Sequence, residues 1–172
     1  MPIFLYLLLS SGEKWSIVGI YQNQNGVESM LMGKYQNSID LKSRMIVPAK
    51  YREELGIKFV LTRGIDKCLY IYPASEWEQF MKKLSELPSS DSNVRAFIRH
   101  FYANAIETEI DKQGRIVIPQ ELREYANIEK DLVTVGLLNK IEIWSKEEWG
   151  KAENKTELDS SDFAQKMAEY GI

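Results

Sequence analysis

Two stretches of the chain carry the same spacing of acid, base and proline: Asp40-Leu-Lys-Ser-Arg44-Met-Ile-Val-Pro48-Ala-Lys-Tyr-Arg52 and Asp111-Lys-Gln-Gly-Arg115-Ile-Val-Ile-Pro119-Gln-Glu-Leu-Arg123. An Asp at the start of a turn accepts backbone N–H groups, and an Arg four residues on can pair with it across a tight hairpin. Asp40 and Asp111 are therefore read as structural turn residues, with Gly114 beside the second. The same turns lift Arg44 with Lys42, and Arg115 with Lys112, onto a rigid support. Guanidinium and ammonium groups so placed reach phosphates and the O6/N7 edge of guanine in the major groove. One basic turn is commonly just solvated, but two equivalent ones in one chain point to a polyanion. Arg52 and Arg123 lie beyond the proline on a helical turn, and are read as phosphate or structural contacts.

The rest of the composition offers little other chemistry. The 172 residues include one Cys and one His, which leaves no disulfide framework within the chain, no multi-Cys zinc site and no easy His-based triad. His100 falls off the apolar stripe of its helix and is expected at solvent or at an interface, and Cys68 is expected as a small buried hydrophobe. No Gly-rich phosphate loop, carboxylate pair with a nearby base, or metal-ligand spacing occurs. An enzyme is not expected, and neither a cofactor nor a small-molecule substrate is implied.

Net charge is -3, with 44% hydrophobic residues, as in an ordinary globular chain. Its distribution is uneven. Residues 32–67 hold eight basic and four acidic residues, whereas 141–172 hold four basic and eight acidic. Nucleic-acid footprints are local, so an acidic total is compatible with one basic face. Lys34 joins the expected DNA-contact set from this basic segment.

The two stretches are the core of an internal repeat, offset by 71 residues. Further on Gly64 matches Gly136, Leu69–Tyr72 matches Ile141–Trp144 and Trp77 matches Trp149, now at an offset of 72. Each copy reads as about four short strands and a small helix after the proline. The copies are placed at 32–77 and 105–149, with connecting helices at 78–104 and a C-terminal helix at 150–172. Ser75-Glu-Trp-Glu78 and Ser145-Lys-Glu-Glu148 read as capping boxes. Trp77, Phe80, Met81, Leu84 and Leu87 form one helical stripe that Pro88 ends; Val94, Phe97, Ile98 and Phe101 form another.

Residues 1–31 share nothing with the repeat, and Met30 and Met32 are both plausible starts, so this segment is expected to be a leader or extension, with residues 1–29 dispensable for folding. Its apolar run Ile3–Leu9 lacks the basic flank and small-residue cleavage site of a signal peptide. No apolar run reaches the roughly 18–20 residues that cross a bilayer, so no membrane association is expected.

The second copy resembles the swapped-hairpin DNA-binding element of AbrB-type regulators and related antitoxins. Two such elements in tandem, opened by Gly33-Lys-Tyr-Gln-Asn-Ser-Ile-Asp40 and joined by Arg95-Ala-Phe-Ile-Arg-His-Phe-Tyr-Ala103, resemble the MraZ family over about residues 32–150. The resemblance implies an α+β, mainly β fold, a tandem pseudo-repeat forming a double barrel with flanking helices. It also implies ring-like homo-oligomers, double-stranded DNA as partner, short direct repeats in the promoter of a division and cell-wall gene cluster as target, and a location in the cytoplasm at the nucleoid. A toxin-neutralising module of the same fold class is the alternative. Ser43 stands where that family usually has Gly, so a turn with φ > 0 would strain Ser43 and not Gly114.

Overall fold

The computed structural model describes residues 30–155, 165 and 167–171. Residues 1–29 and most of the segment after 155 lie outside the described residues, and with them the expectation for Ile3–Leu9 and much of the terminal helix; Leu31, expected in the leader, instead opens the first strand and is buried in the core.

The first copy forms strands β1 (Leu31–Ser38) and β2 (Arg44–Ile46), helix α1 (Ala49–Leu55), and strands β3 (Lys58–Arg63) and β4 (Cys68–Pro73). Helices α2 (Ala74–Ser85) and α3 (Ser92–Tyr102) follow. The second copy repeats the order with β5 (Ile106–Glu109), β6 (Arg115–Val117), α4 (Gln120–Tyr125), β7 (Asp131–Leu138) and β8 (Lys140–Ser145), and ends in α5 (Lys146–Lys155). The result is the expected mixture of helix and strand, rich in antiparallel β-structure.

The two copies do not fold side by side. All eight strands pair antiparallel, in a six-stranded sheet ordered β1-β7-β8-β4-β3-β5 and a two-stranded ribbon of β2 with β6. The first strand of each copy thus pairs with the third strand of the other: β1 with β7, β5 with β3. At the sheet centre Tyr70 lies opposite Glu142, and in the ribbon Met45 lies opposite Ile116. Both are equivalent positions of the repeat, so one pseudo-twofold axis passes between each pair.

Close approach of β1 to β7 depends on Gly136. A Cβ there would sit 2.6 Å from the Met32 nitrogen and 2.7 Å from the Leu31 carbonyl carbon, which are backbone atoms held in the ladder.

Strand β4 is buried on both faces, which explains its unbroken apolar run. One face carries Leu69 and Ile71 into a core with Phe59, Leu61, Ile141 and Ile143 from the sheet. Met45, Val47, Ile116 and Ile118 of the ribbon segments close that core, with Tyr51 and Leu55 of α1 and Leu122 of α4. The ribbon is therefore a lid whose inner face is apolar and whose outer face is free to carry charge. The other face of the sheet presents Cys68, Tyr70, Tyr72 and Trp144 to Phe101 of α3, Trp77 and Phe80 of α2, and Trp149 of α5. Phe80 meets Phe101 edge-on at 5.0 Å and stacks on Tyr72 at 5.4 Å. Of the two helical stripes, Trp77, Phe80 and Phe101 enter this second layer, whereas Leu87 and Phe97 are exposed. Burial pushes the Cys68 thiol far up, in keeping with an inert core position.

Three local expectations change. Helix α2 starts at Ala74 directly from Pro73, so Ser75 lies inside the first turn and caps nothing; the cap position is Pro73 itself. The second box does cap, with the Glu148 N–H donating to Ser145 Oγ at 3.1 Å. Helix α2 also ends at Ser85, before Pro88, where the Ser85 hydroxyl donates back to the Lys82 carbonyl and the chain tightens into i→i+3 bonds. His100 is half-buried and not simply solvated: its Nε2 lies 2.7 Å from the Gly64 carbonyl, which can only accept, so Nε2 is the donor. Tyr125 donates to the same carbonyl at 2.8 Å, and together they pin the β3–β4 turn.

Candidate nucleic-acid interface

Each repeated turn is built around its aspartate. Asp40 Oδ1 accepts the Lys42 and Arg44 N–H groups at 2.8 and 3.0 Å, while Oδ2 accepts Arg44 Nε at 2.8 Å and pairs with Nη2 at 2.7 Å. Asp111 repeats this with Gln113 and Arg115: 2.8 and 2.9 Å to the backbone, 2.9 Å to Nε and 2.8 Å to Nη2. A side-on carboxylate fixes the guanidinium plane and leaves its far edge unclaimed by that contact. The turns close with Ser43 N–H to the Asp40 carbonyl and Gly114 N–H to the Asp111 carbonyl, both at 2.9 Å.

These bonds hold both carboxyls at about 2, from an ordinary value of 3.8, with the arginine hydrogen bond as the largest cause. A carboxyl whose folded pKa is depressed stabilises the fold above its unfolded pKa, and that contribution is lost as pH falls through the folded one. The turns should therefore keep their lock at neutral pH and release it between about pH 4 and pH 2. An NMR titration of the side-chain carboxyl carbons should give midpoints near 2; midpoints near 4 in the folded chain would show that the lock is absent.

The β2–β6 ribbon brings the two turns together. Arg44 faces Val117 and Arg115 faces Ile46, so each arginine is the diagonal neighbour of the other across the ladder. Alternation puts Met45 and Ile116, both 1% exposed, inward, and Arg44, Ile46, Arg115 and Val117 outward. Diagonal neighbours on such a ribbon lie about 7–8 Å apart at the backbone. The Val47 N–H donates to the Gly114 carbonyl and the Ile118 N–H to the Ser43 carbonyl, both at 2.9 Å, so each turn is fastened to the strand end of the other copy.

Arg52 and Arg123 sit at the same rim. Arg52 Nε donates to the Val47 carbonyl at 2.8 Å and Arg123 Nε to the Ile118 carbonyl at 3.2 Å. The Arg52 guanidinium lies flat on Gly114, where a Cβ would overlap it. Lys42 and Lys112 are exposed at the tips. Of the sequence-derived contact set, the structure removes only Lys34 from this face. Its neighbour Tyr35 turns toward Tyr51 in the ribbon-side core, so alternation sends Lys34 to the helix side, where it pairs with Glu153 at 2.7 Å and covers Trp149.

Two features of this face do not emerge from the sequence. Leu41, at the first tip, is fully exposed. Arg52 belongs to the first copy and crosses to the turn of the second. Aligning the two copies residue by residue sets Leu41 against Lys112 and would have exposed the first; the second depends on the ribbon pairing. Among the described residues no group of three or more His, Cys, Asp and Glu side chains could hold a metal ion. Among them, too, no helix is long and apolar enough to cross a membrane.

A family model described as "MraZ protein, putative antitoxin-like" matches the chain twice, over residues 30–100 and 101–170. A protein of Clostridium acetobutylicum named transcriptional regulator MraZ is 48% identical over 143 residues, which is 83% of this chain and all of that protein. Proteins of the same name from Thermoanaerobacter sp. (strain X514) and Halothermothrix orenii are 50% and 49% identical over the same shares. With two tandem matches, and relatives aligned over their whole length, the chain belongs to the MraZ family.

Proposed function

We propose that the chain is a sequence-specific DNA-binding regulator of transcription, and not an enzyme. The observation that carries this reading is the outer face of the ribbon. Two arginines, each oriented by its own aspartate, sit diagonally on a two-stranded element of the width that the major groove admits. Arg44 and Arg115 read guanine edges; Arg52, Arg123, Lys42 and Lys112 hold phosphates. Lys34 takes no part in this interface. The name of the relatives supports the same reading. The finer features implied by the resemblance belong to it: a double swapped-hairpin barrel around the ribbon, ring-like homo-oligomers, direct repeats ahead of a division and cell-wall gene cluster, and action at the nucleoid in the cytoplasm.

The antitoxin-like wording of the family description favours a second reading, a module that wraps a partner protein. Recovery of one stoichiometric protein partner, with no retarded band on the chain's own upstream DNA, would select it. A retarded band without such a partner selects the regulator.

The lysines and arginines should separate in this assay. Lys42→Ala with Lys112→Ala should weaken binding to every duplex alike and flatten the dependence of log K on log salt by about 0.9 for each phosphate that is no longer neutralised. Titrations at several salt concentrations check this, and an unchanged slope would take the tips off the backbone.

A further inference from the structure

The ribbon is fastened to the sheet along one edge only. Asn37 of β1 donates through Nδ2 to the Ile46 carbonyl of β2 at 2.7 Å. Two residues on, Ile39 bridges Met45 of β2, and its N–H donates to the Lys130 carbonyl at 2.9 Å, just ahead of β7. The offset of 71 that relates the copies sets Thr108 against Asn37, Ile110 against Ile39 and Val117 against Ile46. Among the described residues none of the three contacts recurs there. Thr108 makes no bond to Val117, and Ile110 neither bridges Ile116 nor bonds to the chain ahead of β3.

Residue type and strand length explain the difference. A threonine hydroxyl sits directly on Cβ, one bond short of the reach of an asparagine amide. Strand β5 is four residues long and β1 eight. The remaining ties of the ribbon are of another kind. Val47 and Ile118 bond each ribbon strand to the turn of the other copy, which holds the ribbon together without fixing its angle to the sheet. Met45 and Ile116 bury its inner face, but apolar burial is non-directional. The Asn37 amide lies in an open groove between β1 and the ribbon, lined also by Gln36, Ser38 and Pro48. Water reaches both partners there, so a lost bond leaves a hydrated carbonyl and costs the fold little. What goes with it is direction.

We propose that Asn37 is a positioning residue for DNA binding: it moors the β2 edge of the ribbon to the sheet and sets the angle at which the ribbon meets the duplex, while the β6 edge has no such mooring. Each aspartate orients one arginine within its own turn; Asn37 orients the element that carries both. An element held in its binding pose beforehand loses less freedom when the duplex arrives. The inference rests on the DNA-binding reading above and deepens it.

The test exchanges the two edges in the full chain. Asn37→Thr gives β1 the residue of the second copy. It should weaken binding to a duplex from immediately upstream of the chain's own coding sequence about two- to twelvefold, the worth of one neutral hydrogen bond. Affinity for a shuffled duplex, the salt slope and the urea midpoint should not move. In the free protein, amide exchange across residues 44–47 and 115–118 should quicken. Adding Thr108→Asn supplies a mooring at the other edge, and should recover most of the affinity and slow the exchange again. Unchanged affinity for the upstream duplex in Asn37→Thr overturns the inference. So does an equal loss on both duplexes with a lower urea midpoint, which is the mark of a merely structural bond, or a loss that Thr108→Asn fails to recover. Ribbon exchange indifferent to Asn37→Thr removes the mooring whichever way the DNA result falls. Equal binding of both duplexes by the wild-type chain overturns the regulator reading itself.

Discussion

Replacing Arg44 and Arg115 together by alanine should cost the folded chain roughly 30-fold to 10⁴-fold in affinity for its specific site, on about 1–3 kcal/mol for each base contact. Non-specific binding should fall far less, because Lys42, Lys112, Arg52 and Arg123 remain. The loss should exceed that of either single variant when both turns engage one duplex. The structure adds a control that composition could not. Each arginine is held by an aspartate, so Asp40→Asn and Asp111→Asn keep the guanidinium but loosen its plane and two backbone N–H bonds. These variants should lose selectivity before they lose affinity. Binding titrations on specific and shuffled duplexes, with circular dichroism to confirm folding, separate the outcomes. Unchanged affinity and selectivity in the double arginine variant would remove the ribbon face from the mechanism.

The second large effect is on the fold that carries the ribbon. Phe59 is wholly buried and sits on β3 between Pro73 of β4 and Thr108 of β5, where strands of both copies meet. Phe59→Ala should destabilise the chain by about 3–5 kcal/mol, combining forfeited transfer energy with an unfilled cavity. That is a large share of a total of about 5–15 kcal/mol. Urea unfolding should show the loss at unchanged slope, and DNA affinity should stay intact below the transition. A loss under about 1 kcal/mol would mean that the junction between the copies is not a packed core.

What could be read from residue types was mostly local. The Asp-to-Arg turns are set by side chains four residues apart, and their bonds close as the spacing requires. The short strands flanking them follow from β-branched runs, and the aromatic stripes of α2 and α3 from helical period. Partner choice was not legible. Nothing within β1 states that it pairs with β7 rather than with its own copy's β3, because the two third strands are near-equivalent in pattern. Chain connection and the shared core decide between them. Lys34 and His100 depart from expectation for the same reason, since the face that each occupies follows from that long-range pairing. Ser75 departs for a local one: Pro73 already supplies the extended residue from which a helix can start, so the serine falls two residues too late to cap. Ser43 stands out by its type alone, and the structure places it at φ 60, where glycine would be at ease.

The central claim is that this ribbon face recognises a particular DNA sequence. Fluorescence anisotropy of the full chain on a duplex taken from immediately upstream of its own coding sequence, against a shuffled duplex of equal composition, tests it most directly. The account predicts saturable binding to the upstream duplex at least about tenfold tighter than to the shuffled one at near-physiological salt, with log K falling linearly in log salt for both. Equal affinity for the two duplexes, or no binding to either, would contradict it.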